Sequence, residues 1–199
     1  MAIKPILFNS EMVRAILDGR KDATRKIVKG FIPDDAVWGY TAFTPKGYIS
    51  CRGTFADGYG EKFFKLPCEP GDILYVRETW KKALNGYYYY EAWQRNDIAD
   101  VTKWKPSIRM PKEAARIWLN VTDVRVERLQ EISAESALAE GTDKYIHTNG
   151  GLDENMTITS FIGIWNSTIK KSDIDRYGWD ANPWVWVIEF ERCEKPEGV

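Results

Sequence analysis

The stretch IWLNVTDVRVERL, residues 117–129, has the longest run of β-strand character in this chain. Val121, Val124 and Val126 alternate with polar residues, as expected for a strand with one buried face. The alternation slips once, near Asp123. An extra residue in one strand of a pair is typical of a β-bulge. The stretch therefore predicts one long strand with a bulge near Asp123.

A second long strand is predicted at residues 182–193, NPWVWVIEFERC. Alternation gives this strand one strongly apolar face and one mixed face. The apolar face carries Trp184, Trp186, Ile188 and Phe190. The mixed face carries Val185, Val187 and Glu189. Shorter strands are predicted at residues 4–8, 24–28, 73–76 and 86–93.

Short helices are predicted between these strands, at residues 9–19, 133–141 and about 157–169. The strands do not alternate regularly with helices, so the order does not indicate a parallel sheet of βαβ units. We expect an α+β, mainly β protein with a single domain over residues 1–199. A small β-barrel with short helices packed outside fits this order best. Residues 30–70, rich in Gly, Pro and aromatic residues, are interpreted as an insertion.

The composition excludes several classes of site. Lys and Arg number 28 against 29 Asp and Glu, so any anion-binding surface has to be local. Three widely spaced cysteines and one histidine do not fit a zinc site, which needs about four ligands at short spacings, or a disulfide framework. No signal peptide or membrane-length apolar run is present. We therefore expect a cytoplasmic monomer with no metal, no cofactor and no membrane partner.

A basic cluster follows the first helix, which ends at Gly19. It surrounds Thr24 and consists of Arg20, Lys21, Arg25 and Lys26. The helix dipole favours cations at this end, which is a structural reason for Arg20 and Lys21. In a strand that begins at Thr24, Lys26 shares the face of Thr24 and Arg25 lies on the other face.

Five sequence blocks in a fixed order resemble an ASCH domain of the PUA-like superfamily, of the type found in bacteriophage and prophage genomes. The blocks are GRKDATR (19–25), PGDILYVRETW (70–80), WKPSIRMP (104–111), ALAEG (137–141) and NPWVWVIEF (182–190). The resemblance extends from residue 4 to about residue 192. It implies a barrel of five or six strands, with a helix across one mouth and an open groove.

The resemblance also implies activities. ASCH proteins have been proposed to bind RNA, others have been reported as ribonucleases, and one branch hydrolyses the acyl amide of acetylated cytidine without a metal. That branch uses a lysine and a threonine of an RKxxT motif and a later glutamate. The matching residues here are Lys21, Thr24 and Glu140. Lys21 would act as base or nucleophile, Thr24 would position water or the acyl oxygen, and Glu140 would carry the proton.

Binding residues are expected around the same groove. Arg20, Arg25 and Lys26 would contact phosphates, and in the alternative interpretation Glu140 is only their counter-ion. Polar and aromatic side chains at strand ends line barrel mouths, which adds a second set of residues to the groove. This set is Arg77, Glu78, Trp80, Trp104, Lys105 and Arg109.

Three functions remain open from the sequence. The first is a module that binds RNA or a nucleotide through a basic groove. The second is a metal-independent amidohydrolase or other hydrolase that acts on acylated cytidine-type nucleosides or on RNA. The third is a phage-encoded interaction or assembly factor whose groove binds protein.

Overall fold

The structure is a computed structural model that describes residues 1–96, 103–143 and 150–198. Its strands are β1 (Ile3–Leu7), β2 (Ala23–Ile27), β3 (Val37–Gly39), β4 (Tyr48–Phe55), β5 (Gly58–Lys65), β6 (Ile73–Arg77), β7 (Trp80–Ala83), β8 (Gly86–Tyr89), β9 (Trp118–Arg128) and β10 (Trp184–Cys193). Its α-helices are α1 (Ser10–Leu17), α2 (Tyr90–Asn96), α3 (Ala134–Ala139), α4 (Glu154–Thr168) and α5 (Ile174–Tyr177).

The central sheet has the strand order β1-β6-β9-β10-β2. β1 is parallel to β6, and the other pairs are antiparallel. Between β9 and β10, Glu189 pairs with Asp123 and Phe190 pairs with Val121, so Thr122 is an extra residue. This register shift is the bulge that the broken alternation near Asp123 predicted.

The two faces of β10 pack against different layers, as the alternation predicted. Trp186, Ile188 and Phe190 join the main core together with residues of β6, β9 and α1. Val185 and Val187 face the other way and pack in a second cluster that includes Phe161 and Trp165 of α4. Helix α4 therefore covers one face of the central sheet, and α1 completes the core on the other face.

The expected α+β, mainly β class is confirmed, but the closed barrel is not found. Among the described residues the sheets are open, and β1 and β2 are the two edges of the central sheet. The chain between these edges is α1 and the turn that follows it. A helix satisfies its own backbone and cannot extend a strand ladder. Val13 and Ile16 of α1 fill the core there instead.

Residues 30–70 contribute a separate antiparallel sheet with the order β3-β4-β5. Trp38 joins this sheet to the central one, because its ring lies 5.7 Å from Trp184 and 6.2 Å from Trp186. Ile49 and Leu66 enter the same core. The segment interpreted as an insertion therefore covers the apolar face of β10.

The strand prediction for residues 86–93 is wrong beyond Tyr89, because α2 begins at Tyr90. The alternation in this stretch does not show which of its faces points inward. In the structure the Glu91 carboxylate is buried and pairs with Arg14 and Arg116. These distant partners favour the helix over a longer hairpin.

Of the helices in the described ranges, none combines the length and the apolar character needed to cross a membrane.

Candidate functional site

The ends of α1 and α3 meet beside the first residues of β2. Lys21 and Glu140 form an isolated β-bridge, and the amide of Asp22 donates to the carbonyl of Ala139 over 2.9 Å. Gly141 permits this approach. It has a φ of +87°, and a Cβ there would lie 2.7 Å from the Cβ of Ala15. The structure therefore brings Lys21 and Glu140 together, which sequence distance alone did not indicate.

The Lys21 side chain is completely buried, with 0 % exposure. Its ammonium donates to the Glu140 carboxylate over 2.7 Å, to the Ala23 carbonyl over 2.7 Å and to the Glu140 carbonyl over 3.0 Å. A lysine ammonium has three donors, and all three are used here. In this arrangement Lys21 is neither a free base nor a contact for phosphate.

Arg25 extends the same network along the face of the central sheet that α4 covers. Its guanidinium, 1 % exposed, lies 3.3 Å from a Glu140 oxygen and 3.4 Å from a Glu127 oxygen. Glu127 in turn pairs with Arg125 at 2.5 Å. We call this alternating row the charge ladder; it consists of Lys21, Glu140, Arg25, Glu127 and Arg125. Its carboxylates neutralise Lys21 and Arg25, two of the four cations that the sequence placed in one basic cluster.

Thr24 and Lys26 lie on the opposite face of β2 from Arg25, as the alternation predicted. Thr24 is buried, and its hydroxyl makes no hydrogen bond with another described residue. Lys26 is half-buried and has no ion pair within the described part of the chain. Burial lowers the pKa of Lys26, and the nearby Cys68 thiol opposes that shift only in part. Lys26 is therefore not part of the same surface as Arg20.

Arg20 is the most exposed of the four cations in the cluster, with 44 % of its side chain exposed. One guanidinium nitrogen donates to the Gly141 carbonyl over 2.9 Å, and another lies 3.5 Å from Asp18. Arg20 lines a cleft of about 330 Å³ between α1, α4 and the end of α3. We call it the arginine cleft; its lining residues are Glu11, Arg14, Arg20, Gly141, Asp143, Ser160 and Ile164.

Arg14 was not among the residues selected from the sequence, although it lines the arginine cleft beside Arg20. The signal was present, because Glu11 and Arg14 lie three residues apart on α1 while Val13 and Ile16 face the core. The polar face of that helix therefore had to point away from the core. That face and Arg20, which follows the same helix, predict two arginines on one surface, but not the α4 side of the cleft.

The second set of predicted groove residues gathers around the end of β6. Burial raises the pKa of Glu78, and its Arg116 ion pair only partly offsets this effect. Two hydrogen bonds of 2.8 Å join the Glu78 carboxylate to Arg116. Arg116 also contacts Glu91, which lies 3.5 Å from Arg14. Glu78 is thus part of a buried ion-pair network that supports the arginine cleft, and it is not exposed to a ligand.

The aromatic members of this set are only partly available for stacking. Trp80 is buried and exchanges backbone hydrogen bonds with Lys105, whose ammonium lies 4.9 Å from the Trp80 ring. Trp104 is half-buried, with its ring 5.3 Å from Tyr90 and 6.0 Å from Trp93. Of Trp80 and Trp104, only Trp104 is partly accessible to a ligand.

The cations near Trp104 differ in exposure. Arg77 donates to the Tyr75 hydroxyl over 3.0 Å and to the Ile108 carbonyl over 3.3 Å. Lys105 and Arg109 are exposed. These three cations lie on β6 and on the loop at residues 103–110, where a hydrogen bond joins Arg77 to the Ile108 carbonyl.

Comparisons with protein-family models, with curated proteins and with solved structures found no match to this chain. In the described ranges, no group of three or more His, Cys, Asp or Glu side chains is arranged to hold a metal ion. The charge ladder and the arginine cleft are therefore the candidate functional features of this chain.

Proposed function

We propose that this chain is a PUA-like module of the ASCH type that binds RNA or a nucleotide in the arginine cleft. The observation that carries the proposal is the presence of Arg14 and Arg20 on one cleft of about 330 Å³. That volume lies in the range of small-ligand sites, roughly 300–1,000 Å³. Arginine is suited to phosphate because its planar guanidinium donates two parallel hydrogen bonds.

The charge distribution supports the same cleft. Arg14 and Arg20 also have carboxylate partners, but their side chains are 38 % and 44 % exposed. The side chains of Lys21 and Arg25 are only 0 % and 1 % exposed, so a ligand cannot reach them. The cleft also contains Glu11 and Asp143, whose carboxylates are suitable acceptors for the amino group of a base. A ligand with both a phosphate and a base amino group would use both kinds of residue.

Replacing Arg20 by alanine is expected to weaken binding of a nucleoside monophosphate and of a short RNA about tenfold or more, because a charge-assisted hydrogen bond is lost. The dependence of log K on log salt concentration should also fall by about one unit for RNA. Titration calorimetry and fluorescence anisotropy at several KCl concentrations measure both effects.

The matched control is Arg192→Ala, which removes an exposed arginine from β10. It should leave affinity within about twofold of the wild type, since scattered surface charges contribute little. An equal loss in both variants, or no loss in Arg20→Ala, would contradict binding in the arginine cleft.

A second candidate function is hydrolysis of an acylated cytidine. The specific observation in its favour is the direct contact of Lys21 with Glu140, two of the three residue types that the resemblance assigns to catalysis. Thr24, the third, lies on the adjacent strand β2 with a hydroxyl that makes no hydrogen bond to a described residue. For this reaction Lys21 would have to exchange its three internal acceptors for substrate.

The test uses Thr24→Val, because valine preserves the buried shape and removes only the hydroxyl. Wild-type protein is incubated with acetylated cytidine, and released cytidine is measured by chromatography. If Thr24 is catalytic, kcat should fall about a hundredfold or more while unfolding stability stays near that of the wild type. Absence of turnover in the wild type, or equal turnover in Thr24→Val, would reject this catalytic arrangement.

A further inference from the structure

The outer edge of the β3-β4-β5 sheet is open. β5 pairs with β4 over its full length, from Gly58 opposite Phe55 to Lys65 opposite Tyr48. No described strand pairs with its other side. β5 contains no proline, and the first proline after the strand is Pro67. A long unpaired edge of this kind is a template for adding another strand.

The solvent face of this sheet carries exposed apolar side chains. Tyr59 is 75 % exposed, Val37 is 52 % exposed and Phe63 is 39 % exposed. The register places them on one face, because Ser50 is opposite Phe63 and Thr54 is opposite Tyr59, while Val37 is opposite Arg52. An apolar strip beside an open edge indicates an interaction surface.

We propose that two copies of this chain associate through β5, with the two strands antiparallel, to form one continuous six-stranded sheet. A two-fold axis perpendicular to the sheet keeps the solvent face of both copies on the same side. Residues directly opposite each other then lie on the same face, so their numbers in β5 differ by zero or by an even number. The axis must therefore pass beside a single residue of β5. This restriction leaves only a few registers to compare.

The charges of β5 select one register. An axis at Glu61 places two carboxylates opposite each other, and an axis at Lys62 does the same with two ammonium groups. An axis at Phe63 pairs the two Phe63 rings and places Glu61 opposite Lys65 of the copy, twice. Opposite charges and aromatic pairs directly across two strands stabilise a sheet, whereas like charges destabilise it.

The observed side-chain contacts are compatible with that register. Glu61 accepts a hydrogen bond from the Ser50 hydroxyl, which holds its carboxylate on the solvent face. Lys62 points the other way, with its ammonium 4.2 Å from the Phe55 ring and 3.8 Å from Asp57. Lys62 therefore does not place a free charge across the edge.

A second copy fits this surface better than a nucleic acid does. Residues 30–69 contain four Lys and Arg against five Asp and Glu, so the segment has no excess of positive charge. Binding to phosphates depends on such an excess. The association is independent of the proposed ligand binding in the arginine cleft.

Sedimentation velocity over about a hundredfold range of protein concentration should show a wild-type monomer–dimer equilibrium. Glu61→Lys and Lys65→Glu each create two like-charge pairs, and each should weaken dimerisation about tenfold or more. A mixture of the two single variants restores both opposite-charge pairs, so it should form a heterodimer. The double variant Glu61→Lys/Lys65→Glu should also dimerise.

A wild-type protein that stays monomeric at the highest concentration would overturn the proposal. So would a dimer that neither charge variant weakens, because the association would then use another surface. A monomer whose binding to RNA is lost in Phe63→Ala and Tyr59→Ala would assign this face to nucleic acid instead. Circular dichroism of each variant verifies that its fold is intact.

Discussion

Replacing Glu140 by glutamine is expected to lower the free energy of unfolding by about 3–5 kcal/mol, the usual cost of removing one partner of a buried ion pair. Glu140 is the acceptor for the fully buried Lys21 ammonium and for the Arg25 guanidinium. Glutamine has nearly the same shape but no charge. The variant would therefore leave a buried ammonium without its counter-ion while Arg25 keeps Glu127.

Urea unfolding followed by tryptophan fluorescence measures this loss. Glu135→Gln is the matched control, because it makes the same change at an exposed position on α3 and should shift stability by less than about 0.5 kcal/mol. Lys21→Met/Glu140→Gln should recover part of the loss, since no unpaired ammonium remains buried. If Glu140→Gln is as stable as Glu135→Gln, the charge ladder does not hold β2 to α3 as described.

Replacing Gly141 by alanine is expected to destabilise the protein by about 3 kcal/mol. Two costs combine: a left-handed backbone is unfavourable for alanine by about 1–2 kcal/mol, and overpacking costs about 1–3 kcal/mol. Gly141 has a φ of +87°, and its Cβ would meet the Ala15 Cβ at 2.7 Å and the Lys21 Cβ at 3.1 Å. The ends of α1 and α3 would have to separate.

Two further variants distinguish these costs. Gly71 also has a left-handed backbone, with a φ of +84°, but a Cβ there would lie in open space. Gly71→Ala should therefore show the backbone cost alone. Gly141→Ala/Ala15→Gly removes the close methyl contact, so the double variant should lose less stability than the sum of the losses in Gly141→Ala and Ala15→Gly. Equal losses in Gly141→Ala and Gly71→Ala would contradict a close contact between the two helices.

The features that sequence analysis predicted best depend on local periodicity. The two faces of β10 and the bulge at Thr122 follow directly from which residues alternate, and the structure confirms both. Closure of the sheet is different, because it depends on whether β1 and β2 can meet across α1. That geometry is non-local, and the sequence pattern of neither strand encodes it.

The candidate site shows the same division. The sequence identified Arg20, Lys21 and Arg25 as one cluster because they are neighbours in the chain. In the fold, Arg20 reaches the arginine cleft while Lys21 and Arg25 are buried against carboxylates. In the alternative interpretation of the sequence, Glu140 serves as the counter-ion of a cation in that cluster. The identity of that cation depended on a contact between residues 119 positions apart.

The strand order of the central sheet has a consequence during synthesis. Among the described strands, β2 pairs within that sheet only with β10, which the ribosome makes much later. At usual rates of about 5–20 residues per second, the nascent β2 waits roughly 10–30 s for its neighbour. Until β10 is made, the sheet that holds Arg25 is incomplete. A chain interrupted before β10 would expose an unpaired edge, which makes such fragments natural targets for chaperones and proteases.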